Sequence, residues 1–194
     1  MGSEMCIRDS LSYASMVDHF GPDRPRRLLA LHLGNGASLC AIKDGKSVAT
    51  SMGYSPLDGL TMGTRSGAID GMAVLRILQE RGEAEANRIL NKDSGLKGLG
   101  GTNDMRDLMA SDATEAAFAV DHFSYWAARH AGSAIVAMGG LDAIAFTGGI
   151  GENSAEIRGQ IMTQLSFMGD IPVHVVKAQE ERQIALDASR LGAR

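Results

Sequence analysis

The stretch from Leu28 to Gly71 constrains what this chain can fold into more than any other. Leu28 to Leu33 is apolar at every position except His32, which suits a central strand covered on both faces. Gly34-Asn35-Gly36 makes a turn, and Ala37 to Ile42 runs back as a second strand. Asp44-Gly45 is a two-residue hairpin signal, and Ser47 to Met52 follows as a third strand. The three predict an antiparallel meander. A loop rich in Gly, Ser and Thr then runs from Gly53 to about Gly67, and loops of this length in compact domains are usually functional. It carries Arg65 between Thr64 and Ser66, with no acidic residue until Asp70. A glycine corner beside a lone cation suits a surface that handles phosphate.

Composition narrows the classes around that core. The 194 residues suffice for one good core or slightly more, and a net charge of -4 offers no basic footprint for nucleic acid or an anionic membrane. No apolar run approaches the roughly 20 residues of a membrane span. The 2 cysteines, Cys6 and Cys40, have no CxxC or metal-ligand spacing, which makes a reducing cytoplasm the expected location. Twenty-four glycines, clustered at the ends of apolar runs, predict several close backbone approaches to a ligand.

Outside the meander the chain reads as α/β. Met1 to Ser10 does not share the periodicity that follows and is set apart as a non-native leader. Helices are predicted over Leu11–Phe20, Gly71–Arg81 and Glu83–Leu90, and Asn91–Gly101 reads as a polar, glycine-rich loop. Thr102 to Asp107 opens a helical turn, and Ala113 to Met138 is the longest helix, with its apolar residues spaced by threes and fours. A short buried strand over Leu141–Phe146 turns sharply at Thr147–Asn153 into a helix from Ser154 to Met168. Ile171–Val176 is a last strand and Gln179–Leu191 a last helix.

Several local patterns carry chemistry, each beside a plainer reading. Gly45-Lys46-Ser47 mimics the end of a P-loop, but the glycine required five positions earlier is Cys40, and a strand follows where a helix is needed. The hairpin is the better reading. Gly149-Ile150-Gly151, after a strand and before a helix, is either a sharp connecting turn or a loose dinucleotide fingerprint, which would make an NAD-dependent enzyme. Under both, free amides at the helix start can accept a nucleotide. His32-Leu33-Gly34-Asn35-Gly36 is either an ordinary turn or an anion-approaching one, and His32 is either a core histidine or part of it. Glu180-Glu181 is a dipole-favourable pair at a helix start, or one of the two helps hold a nucleotide-bound magnesium. The 5 histidines lack ligand spacing for a zinc site.

Taken together and in this order, HLGNGAS, the loop SMGYSPLDGLTMGTRSGAIDG, the NDMRD turn and FTGGIGENS resemble the acetate kinase (acetokinase) family, over essentially Leu11 to Leu191. The resemblance implies an actin-like ATPase (ribonuclease H-like) fold, a mixed five-stranded sheet flanked by helices, with residues 11–194 as the C-terminal, ATP-binding half. It implies reversible, Mg²⁺-dependent transfer of the ATP γ-phosphoryl group to acetate, giving acetyl phosphate, by a homodimer. Propionate or butyrate kinase and a non-catalytic nucleotide-binding or dimerising fragment are the alternatives.

By the same resemblance, His32, Leu33, Gly34, Asn35 and Gly36 would bind phosphates, and Asp104, Met105 and Arg106 would lie against the adenosine. Gly149, Ile150, Gly151, Glu152 and Asn153 would contact the nucleotide's other side. Arg65 would stabilise the group in transfer, Pro56 would line the acetate methyl pocket, and Glu181 would assist magnesium. The family's longer N-terminal part, with its further catalytic residues, has no match here, and the family's Phe-His-Gly is replaced by Arg8-Asp9-Ser10. A short connection before Ile171 is missing, and the family's Pro-Thr-Asn is Lys177-Ala178-Gln179. The expectation is a chain that binds Mg-ATP and turns over little or not at all.

Overall fold

The computed structural model of the chain describes residues 7–178, with positions 185 and 188 beyond them. Its centre is the strand that the apolar run predicted, β1 (Arg27–Leu33), which pairs antiparallel with β2 (Ala37–Lys43) and parallel with β4 (Ala143–Thr147). β3 (Lys46–Thr50) lies outside β2, and β5 (Val173–Val175) lies outside β4. The sheet is therefore mixed and five-stranded, in the order β3-β2-β1-β4-β5. Asp44 and Gly45 take φ of 52° and 77°, the two left-handed residues that the tightest hairpin turn requires. The P-loop look-alike is thus a β2–β3 turn.

Alternation along β1 sends side chains to two separate layers. Leu29, Leu31 and Leu33 join the larger core with Leu39, Ile144 and Phe146. Leu28 and Ala30 join a smaller one with Tyr13, Met16, Ile42 and Val176. The larger face is covered by α6 (Thr114–Met138), whose Ala116, Ala119, Ala127, Ala131 and Ala134 are buried and bring its axis close to the sheet. Phe123 fills the gap between them. The smaller face is covered by α1 (Ile7–Phe20), which begins before the Leu11 expected from periodicity. Arg27 fastens the entry to β1 onto the entry to β4. Its Nε and Nη2 donate to Asp142 Oδ1 at 3.1 and 2.5 Å, and its backbone N–H donates to Oδ2.

The long crossover from β3 to β4 carries α2 (Gly71–Arg81), α3 (Glu83–Lys92), α4 (Gly95–Gly100) and α5 (Met105–Met109) before α6. The predicted bounds of α2 hold because Asp70 caps it, accepting from the Met72 and Ala73 amides, and Gly82 ends it at φ 77°. Other expectations fail. Asn91–Gly101 is not simply a loop, since it contains α4. The glycines there serve contact, for a methyl on Gly100 would sit 2.5 Å from Leu108 Cδ2 and 3.0 Å from Ala119 Cβ. Packing overrides propensity at this point. The sharp turn after β4 is itself a short helix, α7 (Gly148–Asn153). Ser154 ends it and caps α8 (Ala155–Gln164), accepting from Ile157 N, and a 3-10 turn at Ser166–Met168 replaces the rest of the predicted helix. The helix predicted for Gln179–Leu191 lies outside the described residues.

Candidate functional site

The three segments that point to phosphate and nucleotide converge at the C-terminal ends of β1 and β4. Leu33 pairs with Ala37, so the chain reverses within Gly34-Asn35-Gly36, and the Gly34 N–H donates to the Gly36 carbonyl at 3.0 Å. Asn35 is fixed from two sides. Its carbonyl accepts from Gly63 N at 2.8 Å, and its Oδ1 accepts from Asn103 Nδ2 at 2.9 Å. A methyl on Gly63 would lie 2.0 Å from that Oδ1, so glycine lets the Asn35 side chain keep this position.

A cavity of about 850 Å³ opens between the turn, α5 and α7. Gly34 and Asn35 line one wall, Asp104, Met105, Arg106 and Met109 a second, and Gly149, Ile150 and Asn153 a third, with Asn103, Ala110 and Ser154 at its margins. Asp104 caps α5 by accepting from Arg106 N at 2.9 Å, and its carboxylate takes two further bonds from the Arg106 guanidinium. Those bonds hold its pKa down at about 2 and raise that of Arg106, so both groups are charged throughout the neutral range. Met105, Met109 and Ile150 make the cavity partly apolar. Apolar side chains with a few polar groups among them suit a nucleoside with its phosphates toward the glycine turn.

Arg65 and Pro56 meet beside this cavity. Arg65 Nη1 donates to the Pro56 carbonyl at 3.3 Å, and a methyl on Gly36 would lie 3.7 Å from the same nitrogen. Arg65 makes no ion pair among the described residues, so its charge is uncompensated at the edge of the turn. The loop bearing it is held through backbone. The Leu96 and Lys97 amides, free at the first turn of α4, donate to the carbonyls of Met62 and Gly63. Ser94 N donates to Thr64 O and Ser66 N to Leu90 O, both at 3.0 Å.

Other sequence candidates take different places. Leu33 is fully buried in the larger core, and Gly151 packs on Leu33 and Phe146. Gly36 faces Arg65 rather than the cavity. His32 points to the α1 side, with Ser12 Oγ 2.9 Å from its Nδ1, and its Nε2 lies under Gly34 and Gly148. Glu152 turns away from the cavity, and its Oε1 accepts from the Gly148 and Ala178 amides at 3.1 and 2.9 Å. Asn103, Met109, Ala110 and Ser154 were not among the candidates. Asn103 begins the NDMRD turn, and Met109 follows Met105 by one helical turn, so a strict helical projection of α5 finds the second.

Glu181 lies outside the described residues. Among the described residues no group of three or more His, Cys, Asp or Glu side chains could hold a metal. The one carboxylate lining the cavity, Asp104, is occupied by Arg106 and the α5 cap. These residues do not by themselves make a magnesium site. A second cavity of about 370 Å³, lined by Thr61, Ser66, Asp93, His122 and Trp126 among others, includes none of the sequence-predicted site residues. Among the described residues no helix is long and apolar enough to cross a membrane.

Comparison with known proteins gives this site its family. The acetate kinase of Nitrobacter hamburgensis is 43% identical over 202 residues, covering 90% of this chain and 50% of that protein. The acetate kinase of Protochlamydia amoebophila is 41% identical over 172 residues, covering 86% of this chain and 43% of that protein. Among solved structures, Porphyromonas gingivalis acetate kinase superposes with a TM-score of 0.85 at 31% identity, over 94% of this chain and 54% of that one. A propionate kinase from Francisella tularensis superposes with a TM-score of 0.83 at 36% identity, over 92% of this chain and 53% of that one. The chain spans about half the length of the curated relatives it matches. The fold is the actin-like ATPase fold that the resemblance implied. Because the acetokinase family model matches residues 13–191, almost the whole of it, the chain belongs to the acetokinase family.

Proposed function

We propose that this chain is the nucleotide-binding half of an acetate kinase, a phosphotransferase that moves the γ-phosphoryl group of ATP reversibly to acetate and forms acetyl phosphate. The observation that carries this reading is the single cavity lined by Gly34 and Asn35, by Asp104–Arg106 and by Gly149, Ile150 and Asn153, which lie far apart in sequence. The apolar α5 and α7 walls take the adenosine, and the glycine corner takes the phosphates. The uncompensated Arg65 stabilises charge on the transferring group, which is what phosphoryl transfer asks of a protein. Pro56, joined to Arg65 through its carbonyl, lines the pocket for the acetate methyl.

Magnesium is proposed as the nucleotide's counter-ion, with Glu181 assisting. Cytoplasmic location follows from the need for ATP. The second observation bearing on function is the propionate kinase among the structural relatives, which keeps propionate as an alternative acceptor. Homodimerisation is supported by exposed apolar side chains on α2 (Met72, Leu75, Leu78) and on α6 (Phe118, Tyr125, Val136). Residues of the family's N-terminal part complete the acceptor site, so this chain alone binds ATP and forms little acetyl phosphate.

Titration calorimetry of the chain with Mg-ATP and with NADH, alongside a hydroxamate assay with acetate, tests the proposal. Saturable ATP binding, no NADH binding and negligible hydroxamate are expected. NADH binding without ATP binding overturns the kinase reading, and rapid hydroxamate formation overturns the incompleteness of the site.

A further inference from the structure

The short helix α7 has two unlike sides. Gly149, Ile150 and Asn153 line the cavity, whereas Gly148 and Glu152, one helical turn apart, lie on the other side. That other side is fastened at both ends. Glu152 Oε1 accepts from Gly148 N at 3.1 Å and from Thr147 Oγ1 at 3.4 Å, which fixes the start of α7 on the end of β4. Arg158 Nη1 donates to the carbonyls of Gly151 and Glu152 at 2.8 and 3.0 Å, which fixes its end. Glu152 Oε1 also accepts from Ala178 N at 2.9 Å, just beyond β5. Gly148 approaches the end of β1 closely: at φ 79°, a methyl there would lie 2.7 Å from Leu33 O. Its amide is buried, so leaving it unsatisfied carries a desolvation cost.

We infer that Glu152 is a positioning residue: its carboxylate joins the nucleotide-facing turn to the chain leaving β5 at Ala178, and so sets the shape of the cavity wall. It does this without touching the nucleotide. The inference rests on the nucleotide reading of the cavity. One carboxylate oxygen thus holds two parts of the chain in a fixed relation, and a change at either is felt at the other.

The test compares Glu152→Gln, which keeps an oxygen acceptor, with Glu152→Ala, which removes it, using ATP titration and amide hydrogen exchange on the same samples. ATP affinity should fall about tenfold in Glu152→Ala and stay within about threefold in Glu152→Gln, the sizes expected for losing or weakening a charge-assisted hydrogen bond. Exchange at Gly148 and Ala178 should accelerate together in Glu152→Ala only. Unchanged affinity with both amides exposed makes the clamp purely structural and overturns the inference. Lost affinity with both amides still protected means that the carboxylate meets the nucleotide itself, which also overturns it. Should Glu152→Ala not fold, Glu152→Asp, one methylene short, must show the same joint exposure and loss or the inference fails. Absence of ATP binding to the unmodified chain removes the nucleotide reading and the inference with it, while the paired exchange at Gly148 and Ala178 shows that the clamp itself was not at fault.

Discussion

The two glycine-rich segments that flank the site are held by opposite means. In the Gly59–Gly67 loop the glycines are filled in by neighbouring chain. A methyl would lie 2.3 Å from Ser51 O at Gly59 and 2.4 Å from Leu60 O at Gly67. The same holds for Gly95 beneath the loop, where it would lie 2.1 Å from Met62 O. In α7, Gly149 has nothing within 4 Å, and the segment is fixed by the side chains of Glu152 and Arg158. The loop uses glycine so that backbone can meet backbone, as α7 does at Gly148, whereas Gly149 leaves space open toward the cavity. A loop that carries Arg65 gains from being rigid without depending on any side chain. A wall that meets a ligand gains from an open face backed by adjustable contacts.

The largest effect expected from this contrast is at Gly95→Ala. It combines φ 60° with backbone collision, so a loss of about 3 kcal/mol, or roughly 10 °C in Tm, is expected by thermal melting, together with loss of ATP binding. Gly149→Ala should do the reverse. Replacing a helical glycine by alanine leaves Tm unchanged or slightly raised, while the new methyl enters the cavity and weakens ATP binding by about tenfold. If both substitutions lowered Tm alike, the contrast would be wrong. Arg65→Ala should matter less to either quantity, because backbone holds the loop. Tm within about 2 °C and ATP affinity within about threefold are expected, since the proposed role belongs to the transferring group and not to bound ATP.

The smallest effect is electrostatic and lies away from both segments. The hydrogen bond from Arg27 holds the Asp142 carboxyl below its usual pKa. A depressed folded-state pKa gives stability that is present above the unfolded value of about 3.9 and is lost as pH falls through the folded one. Melting temperature should therefore be flat from neutral pH to about 5 and decline below about 4, and Asp142→Asn should reduce that slope.

Much of the framework was legible because single residues carry it. The run Leu28–Leu33 announces a strand covered on both faces, Asp44-Gly45 announces its hairpin, and Asp70 with Gly82 brackets α2. The convergence of the turn, NDMRD and GGIGENS on one cavity is what the family resemblance, carried by their order, implied. What stayed hidden depends on contacts between distant parts. The helix α4 looks like a loop because Gly95, Gly98 and Gly100 lower its propensity, yet each meets chain closer than 3 Å once a methyl is imagined. Glu152 reads as a ligand-facing residue within a nucleotide motif, and only the folded chain shows its carboxylate accepting from the Gly148 and Ala178 amides. His32 alternates with buried leucines, but which face it takes depends on the register of β1 and on Ser12.

The central claim is that three separated segments form one nucleotide site. Amide chemical shifts of the labelled chain, followed during ATP titration, test it most directly. The account predicts that Gly34 and Asn35, Asn103–Arg106, and Gly149–Asn153 shift together along one saturation curve. Shifts confined to one segment, or centred instead on the smaller cavity at Thr61, His122 and Trp126, would contradict it.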